Sequence, residues 1–166
     1  LTEKKREDIY MKALQLQKGE KLQFAVSMVS AKVIDEIGIV PAVRLAMKRA
    51  LTRLVKELAS SSPRAALGLE VFQVKLDGGL RAPGQFEHQE TIIKGDSKEK
   101  VIGLASIAAK VTRDQYMKRI AQKKEFSVYE FDIHKGYGTQ KHRATIAKNG
   151  LSTEHRKSYC KNIKML

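Results

Sequence analysis

Two short strand-like runs, VFQVKLDGG passing through Asp77 and HQETIIKGDS reaching Asp96, lie between two long helix-like runs. That order constrains the fold more than any other feature. In VPAVRLAMKRALTRLVKELAS, the residues Val43, Ala46, Met47, Ala50, Leu51, Leu54 and Leu58 recur at helical spacing, with Lys and Arg opposite. Pro41 falls where a first-turn proline is tolerated. VIGLASIAAKVTRDQYMKRIAQK predicts a second long helix lined by Leu104, Ile107, Ala108, Val111 and Met117. Upstream, LTEKKREDIYMKALQLQ reads as a helix capped by Thr2 and stopped by Gly19. KLQFAVSMVS alternates Leu22, Phe24, Val26 and Met28 with smaller or polar residues, the pattern of a half-buried strand. AKVIDEIGI is a short helix or turn, and SSSPR and RAPGQFE are loops. ALGLEVFQVKLDGG is the second strand and HQETIIKGDS the third, ending at Asp96. TQKHRATIAKNG is a short helix closed by Gly150, with a basic tail behind it. The order predicts an α/β domain with helices packed on a small sheet. Its 166 residues suit one domain.

Charge narrows the function. Lys and Arg number 32 against 18 Asp and Glu, a net of +14, with a pI near 9.9. Such a surface fits a nucleic-acid partner, because each phosphate neutralised releases counterions. A basic solvated face that only aids solubility is the plainer alternative. The single cysteine, Cys160, excludes an internal disulfide framework and a multi-cysteine zinc site. No apolar run approaches the roughly 18 residues that span a bilayer, and the opening residues are charged rather than apolar. A reducing, cytoplasmic setting is expected.

Asp77 and Asp96 each follow an apolar run and each adjoin a glycine. If their strands are neighbours, both carboxylates project from one sheet edge, where ligands of open α/β sheets bind. Adjacent carboxylates repel unless a cation lies between them, and Mg2+ or Mn2+ prefers such oxygens. Asp-Gly is also a common turn pair, so either residue alone reads first as a turn aspartate. Both together, in so basic a chain, point to a divalent metal acting on a phosphodiester. DIHKGYGTQKH, Asp132 to His142, then sets Tyr137 between two glycines and rings it with lysines and histidines. A flat ring can stack on a sugar or base, and the glycines let backbone come close. A packed surface ring is the alternative.

IIKGDSKEKVIGLASIAAKVTRD, HKGYGTQKH and LSTEHRKSYC resemble, in order, the KGD-led helix, the HKGYGT loop and the G-P-T-x-x-H-R-x-S-F segment of bacterial ribonuclease HII. LTEKKRE and SMVSAKVIDEIGIVPAVRLAMKRAL are similar to earlier stretches of the same family, so the resemblance covers nearly the whole chain. It implies an α/β, ribonuclease H-like fold, a mixed sheet flanked by helices, spanning residues 1–166 as a single domain. It implies an endonuclease that hydrolyses the RNA strand of RNA–DNA hybrids and cuts 5′ of ribonucleotides embedded in DNA. It also implies two-metal-ion catalysis with Mn2+ or Mg2+ held by acidic residues, of which Asp77 and Asp96 match the later pair. Tyr137 matches a loop tyrosine that packs on the deoxyribose beside the ribonucleotide, whose 2′-OH marks it as RNA. Ser106, Lys110, Lys94 and Lys135 are expected to bind substrate, with His134 and His142 near phosphate. Arg113 and Asp114 are expected to form an ion pair holding their helix, and His155 and Arg156 to be structural or phosphate-positioning. The partners implied are RNA–DNA hybrid and DNA duplex containing ribonucleotides, with no membrane, and the protein is expected to be a monomer.

The chain departs from that family at its start. The family opens with a strand carrying D-E-x-G-R-G-P, a second strand and a D-S-K-K turn, whereas this chain begins at Leu1. The expectation is therefore an N-terminally incomplete domain, apparently lacking the first two strands and the first acidic ligands. IDEIG, with Asp35 and Glu36, resembles the motif only superficially, since no Arg-Gly follows it. LSTEH also lacks the family's proline. The competing expectation is a non-catalytic, basic nucleic-acid-binding remnant that keeps the substrate surface.

Overall fold

The computed structural model describes residues 1–61 and 72–164. Their contacts separate into two units. One gathers Leu1–Ser27 with the described part of Val43–Val111, and the other gathers Met28–Ala42 with the described residues from Thr112 on.

In the first unit, helix α1 (Glu3–Lys18) starts where the Thr2 side chain accepts from the Lys5 N–H at 3.3 Å, and it stops at Gly19. The segment expected as a first strand, Leu22 to Ser30, forms no strand. Its alternation is spent on contacts with α1. Tyr10 packs edge-on to Phe24 at 5.8 Å between centroids, and the Gln17 amide donates to the Phe24 carbonyl at 3.1 Å. That carbonyl is thereby met by a side chain rather than by a ladder.

The sheet formed by the described residues has two strands, β1 (Val74–Asp77) and β2 (Gln89–Ile92). They run parallel, with Val74 opposite Gln89 and Asp77 opposite Ile92. A mixed sheet was expected, and among the described residues only this parallel pair is found. The earlier part of the expected second strand, residues 66–71, and the end of the SSSPR loop lie outside the described residues. Ser60 and Ser61 still belong to helix α3 (Ile39–Ser61). The loop joining β1 to β2 lends Ala82 and Phe86 to the core, where Leu76 also lies, against Met47, Leu51 and Val55 of α3. Gln89 holds that loop, its amide accepting from the Ala82 N–H and donating to the Phe86 carbonyl, both at 2.9 Å. A left-handed residue, Lys94 (φ 55°), turns the chain into the short helix α4 (Gly95–Lys98), and helix α5 (Lys100–Ala121) follows.

In the second unit, helix α2 (Ala31–Ile37) is capped by Ser30. Its Asp35 carboxylate accepts from the Lys157 and Ser158 N–H groups at 2.7 and 3.0 Å and from the Ser158 hydroxyl at 2.5 Å. Those Ser158 bonds hold the Asp35 carboxyl below the usual range. The end of α5, a 3-10 segment (Lys124–Tyr129), the single turn α6 (Phe131–His134) and helix α7 (Gln140–Asn149) complete the unit. Met117, Ile120, Phe126, Tyr129 and Phe131 form its core. No described helix is long and apolar enough to cross a membrane.

Candidate active site and nucleic-acid interface

Parallel pairing brings the C-terminal ends of β1 and β2 to one edge, with Asp77 closing β1. Asp96 was expected at the end of a strand. It lies instead in the first turn of α4, because Lys94 breaks the ladder by turning left-handed, and it is exposed. The Lys94 carbonyl then accepts from the Ser97 N–H and hydroxyl at 3.2 and 2.9 Å. Asp77 is half-buried, and its Oδ1 accepts from the Gly95 N–H at 2.7 Å. That bond ties the strand end to the turn that carries Asp96. Lys75 of β1 reaches Glu99 at 3.1 Å and secures the far end of α4.

Two glycines make the turn possible, Gly95, noted beside Asp96, and Gly103, which sequence reasoning passed over. A Cβ on Gly95 would lie 2.7 Å from Ile102 Cδ1 and 3.4 Å from Asp77 Oδ1. A Cβ on Gly103, inside α5, would lie 2.8 Å from the Asp96 carbonyl oxygen. The available signal was a glycine in a helical run, where it costs about 1 kcal/mol relative to alanine. Gly103→Ala therefore reverses the usual sign. It is expected to destabilise by about 1–3 kcal/mol through overpacking, read as a lower urea midpoint with an unchanged slope.

The donor chemistry at this edge suits a hard divalent cation. Asp77 keeps its second oxygen clear of hydrogen bonds to described residues, and Asp96 makes no hydrogen bond or ion pair among them. Mg2+ is commonly held by one or two carboxylates, with phosphate and water completing its shell. Among the described residues, no three of His, Cys, Asp and Glu converge to hold an ion. Of the other residues singled out from the sequence in this unit, Lys94 and Ser106 are exposed and Lys110 is half-buried on α5.

The second unit holds the tyrosine loop. Tyr137 is 54% exposed. Its N–H donates to the His134 carbonyl at 2.9 Å, and its own carbonyl accepts from the Thr139 N–H at 2.7 Å. Thr139 caps α7, its hydroxyl accepting from the His142 N–H. Lys135 and the two loop histidines are placed differently from the tyrosine. Lys135 is buried, with its ammonium on the Asp132 carbonyl. His134 and His142 are buried as well, 4.0 Å apart between centroids. Arg113 pairs with Asp114 at 3.6 Å, and its guanidinium lies 5.1 Å from the Tyr137 ring centroid.

His155 completes a histidine stack. Its Nδ1 accepts from the Ser152 N–H at 2.9 Å, so Nε2 carries the proton and donates to His142 Nε2 at 3.3 Å. His134 Nδ1 accepts from the Gly136 N–H at 3.1 Å, which hangs the loop backbone on a buried ring. Burial, helped by the neighbouring His134 and His155, holds His142 down to about 4, and burial also lowers His155. The unfolded chain takes up protons near pH 6.5, before the folded one does. The stability these neutral rings supply is thus complete above about pH 6.5 and lost as pH falls toward 4. Urea unfolding at pH 7.5, 6, 5 and 4.5 is expected to show a loss on the order of 1–2 kcal/mol across that window.

The model of the Ribonuclease HII family matches residues 1–162. The chain is 40% identical over 159 residues to Ribonuclease HII of Endomicrobium trichonymphae, covering 96% of this chain and 67% of that one. It is 39% identical over 163 residues to Ribonuclease HII of Caldicellulosiruptor bescii, covering 98% and 69%. It is 37% identical over 166 residues to Ribonuclease HII of Prochlorococcus marinus, covering 100% and 70%.

Proposed function

Because the chain belongs to the ribonuclease HII family, we propose that it is a metal-dependent endonuclease that hydrolyses the RNA strand of RNA–DNA hybrids and cuts 5′ of ribonucleotides embedded in DNA. The observation that carries this reading is the parallel register of β1 and β2, which puts Asp77 and the turn bearing Asp96 at one edge. Residues 1–166 would act as one ribonuclease H-like α/β domain, as a cytoplasmic monomer.

Asp77 and Asp96 would hold the divalent cation, Mn2+ or Mg2+, which when bound would polarise the scissile phosphodiester and ease ionisation of the attacking water. The chain's own residues position and bind. The Gly95 N–H fixes the rotation of the Asp77 carboxylate and leaves its other oxygen for the cation. Lys94, exposed two residues before Asp96, meets the phosphate backbone, and Ser106 and Lys110 of α5 meet sugar and phosphate. The +14 charge draws the duplex in. Tyr137 lays its exposed ring on the deoxyribose beside the ribonucleotide, and Lys135 braces that loop from within through Asp132.

The test is an end-labelled DNA duplex carrying one ribonucleotide, incubated with this chain and Mn2+ or Mg2+. One cut on the 5′ side of the ribonucleotide, with an all-DNA duplex left whole, supports the reading. Tight binding with no cut supports the non-catalytic alternative. Neither binding nor cutting would sink both.

A further inference from the structure

We infer that Arg113 is a positioning residue for Tyr137, holding the ring at a fixed angle by stacking its guanidinium on one face. The inference rests on the nucleic-acid role proposed for that loop. Arg113 and Met117 stand one turn apart on α5, so both face the same side. The loop sits directly on them. A Cβ on Gly136 (φ 74°) would lie 3.1 Å from Met117 Cε and 3.7 Å from Arg113 Nη2. The guanidinium is 5.1 Å from the ring centroid, inside the roughly 6 Å reach of a cation–π contact. It is steadied from behind by the buried carboxylate of Asp114. Its Nη1 is buried beside that carboxylate and makes no hydrogen bond.

The backbone on both sides of Tyr137 is already fixed. Gly136 N–H is bound to His134 Nδ1, Tyr137 N–H to the His134 carbonyl, and the Tyr137 carbonyl to Thr139 N–H. The guanidinium over one face adds a limit on rotation of the side chain itself. A planar, delocalised cation can lie flat on a ring, whereas an ammonium is a point charge that cannot. The contribution of Arg113 is therefore geometric as well as electrostatic, and lysine does not replace it. A ring held this way meets a sugar without first losing rotational freedom, which is where preorganisation adds affinity.

The chain has no tryptophan, so Tyr137→Trp makes a flat, single-site fluorescent reporter. In that background, Arg113→Met is expected to raise acrylamide quenching of the free protein at least about twofold, and Arg113→Lys nearly as much. In the Tyr137 chain, binding is measured without divalent metal, with a labelled DNA duplex carrying one ribonucleotide and with the all-DNA duplex. Arg113→Met is expected to weaken the first by about tenfold and the second by no more than about threefold. Arg113→Lys restores the salt dependence lost with the charge but not the preference. A purely structural role for Arg113 would weaken both duplexes alike. Quenching and preference both unchanged in the lysine variant, which keeps the charge should the methionine variant not fold, would overturn the inference. If the unmodified chain shows no preference for the ribonucleotide, the proposed substrate reading fails. The quenching result still decides whether Arg113 holds the ring.

Discussion

Asp96→Asn is expected to lower the proposed cutting at a single embedded ribonucleotide by about 10³-fold or more, and to leave the melting temperature nearly unchanged. The two halves of this expectation have separate causes. Asp96 is exposed and makes no hydrogen bond or ion pair with described residues, so its loss removes nothing the fold uses. Surface changes of that kind stay within about 0.5 kcal/mol. Its charge, in contrast, is half of the anionic character proposed for the edge. A bound cation contributes several kcal/mol of transition-state stabilisation, and about 4 kcal/mol corresponds to roughly 10³ in rate. Asparagine keeps the shape and discards the charge. Asp77→Asn should match it in rate, since an amide oxygen can still accept from the Gly95 N–H. Asp77→Ala should add about 1 kcal/mol of instability by leaving that N–H unmet. Cleavage by Asp96→Asn within threefold of the parent chain, with Mn2+ saturating, would remove Asp96 from the metal site.

The helices were legible because α3 and α5 repeat apolar residues over many turns, and because Thr2, Gly19 and Gly150 mark their neighbours' ends. β1 and β2 were legible as apolar runs closing near Asp and Gly. Leu22 to Met28 misled because alternation reports two-sided burial and does not report a hydrogen-bonding neighbour. The contacts of Tyr10 and Gln17 with Phe24 use the same alternation without a ladder. The setting of Asp96 depended on Lys94 adopting a left-handed conformation that its residue type disfavours. In HKGYGTQKH the basic residues read as a ring around phosphate. Whether each one faces out was decided by Phe131 and His155, which lie outside that motif and bury both histidines. The contact of the Arg113 guanidinium with the Tyr137 ring joins residues far apart in sequence, and no local pattern announces it.

Phe131→Ala is expected to destabilise the protein by about 3–5 kcal/mol, the range for truncating a buried phenylalanine. Phe131 is 1% exposed. Its ring lies 5.5 Å from Tyr129 in a near-parallel stack, 6.3 Å from Phe126, and 5.3 to 6.1 Å from His155, His142 and His134. Its ring meets every member of the histidine stack, so its loss has a second consequence. Water entering the cavity would relieve the burial that holds His142 near 4 and move it back toward its ordinary value. The folded and unfolded chains would then take up protons at similar pH, and the stability lost between pH 6.5 and 4 would shrink. Thermal melts should show a fall of about 6–20 °C at pH 7.5, taking 2–4 °C per kcal/mol for a chain of this size. The gap between parent and variant should narrow at pH 4.5. Phe131→Leu, which keeps most of the volume, should lose less and retain more of the pH dependence. A variant with the full loss at pH 7.5 and an unaltered pH slope would mean that His142 is kept neutral by its histidine neighbours rather than by dry packing against Phe131.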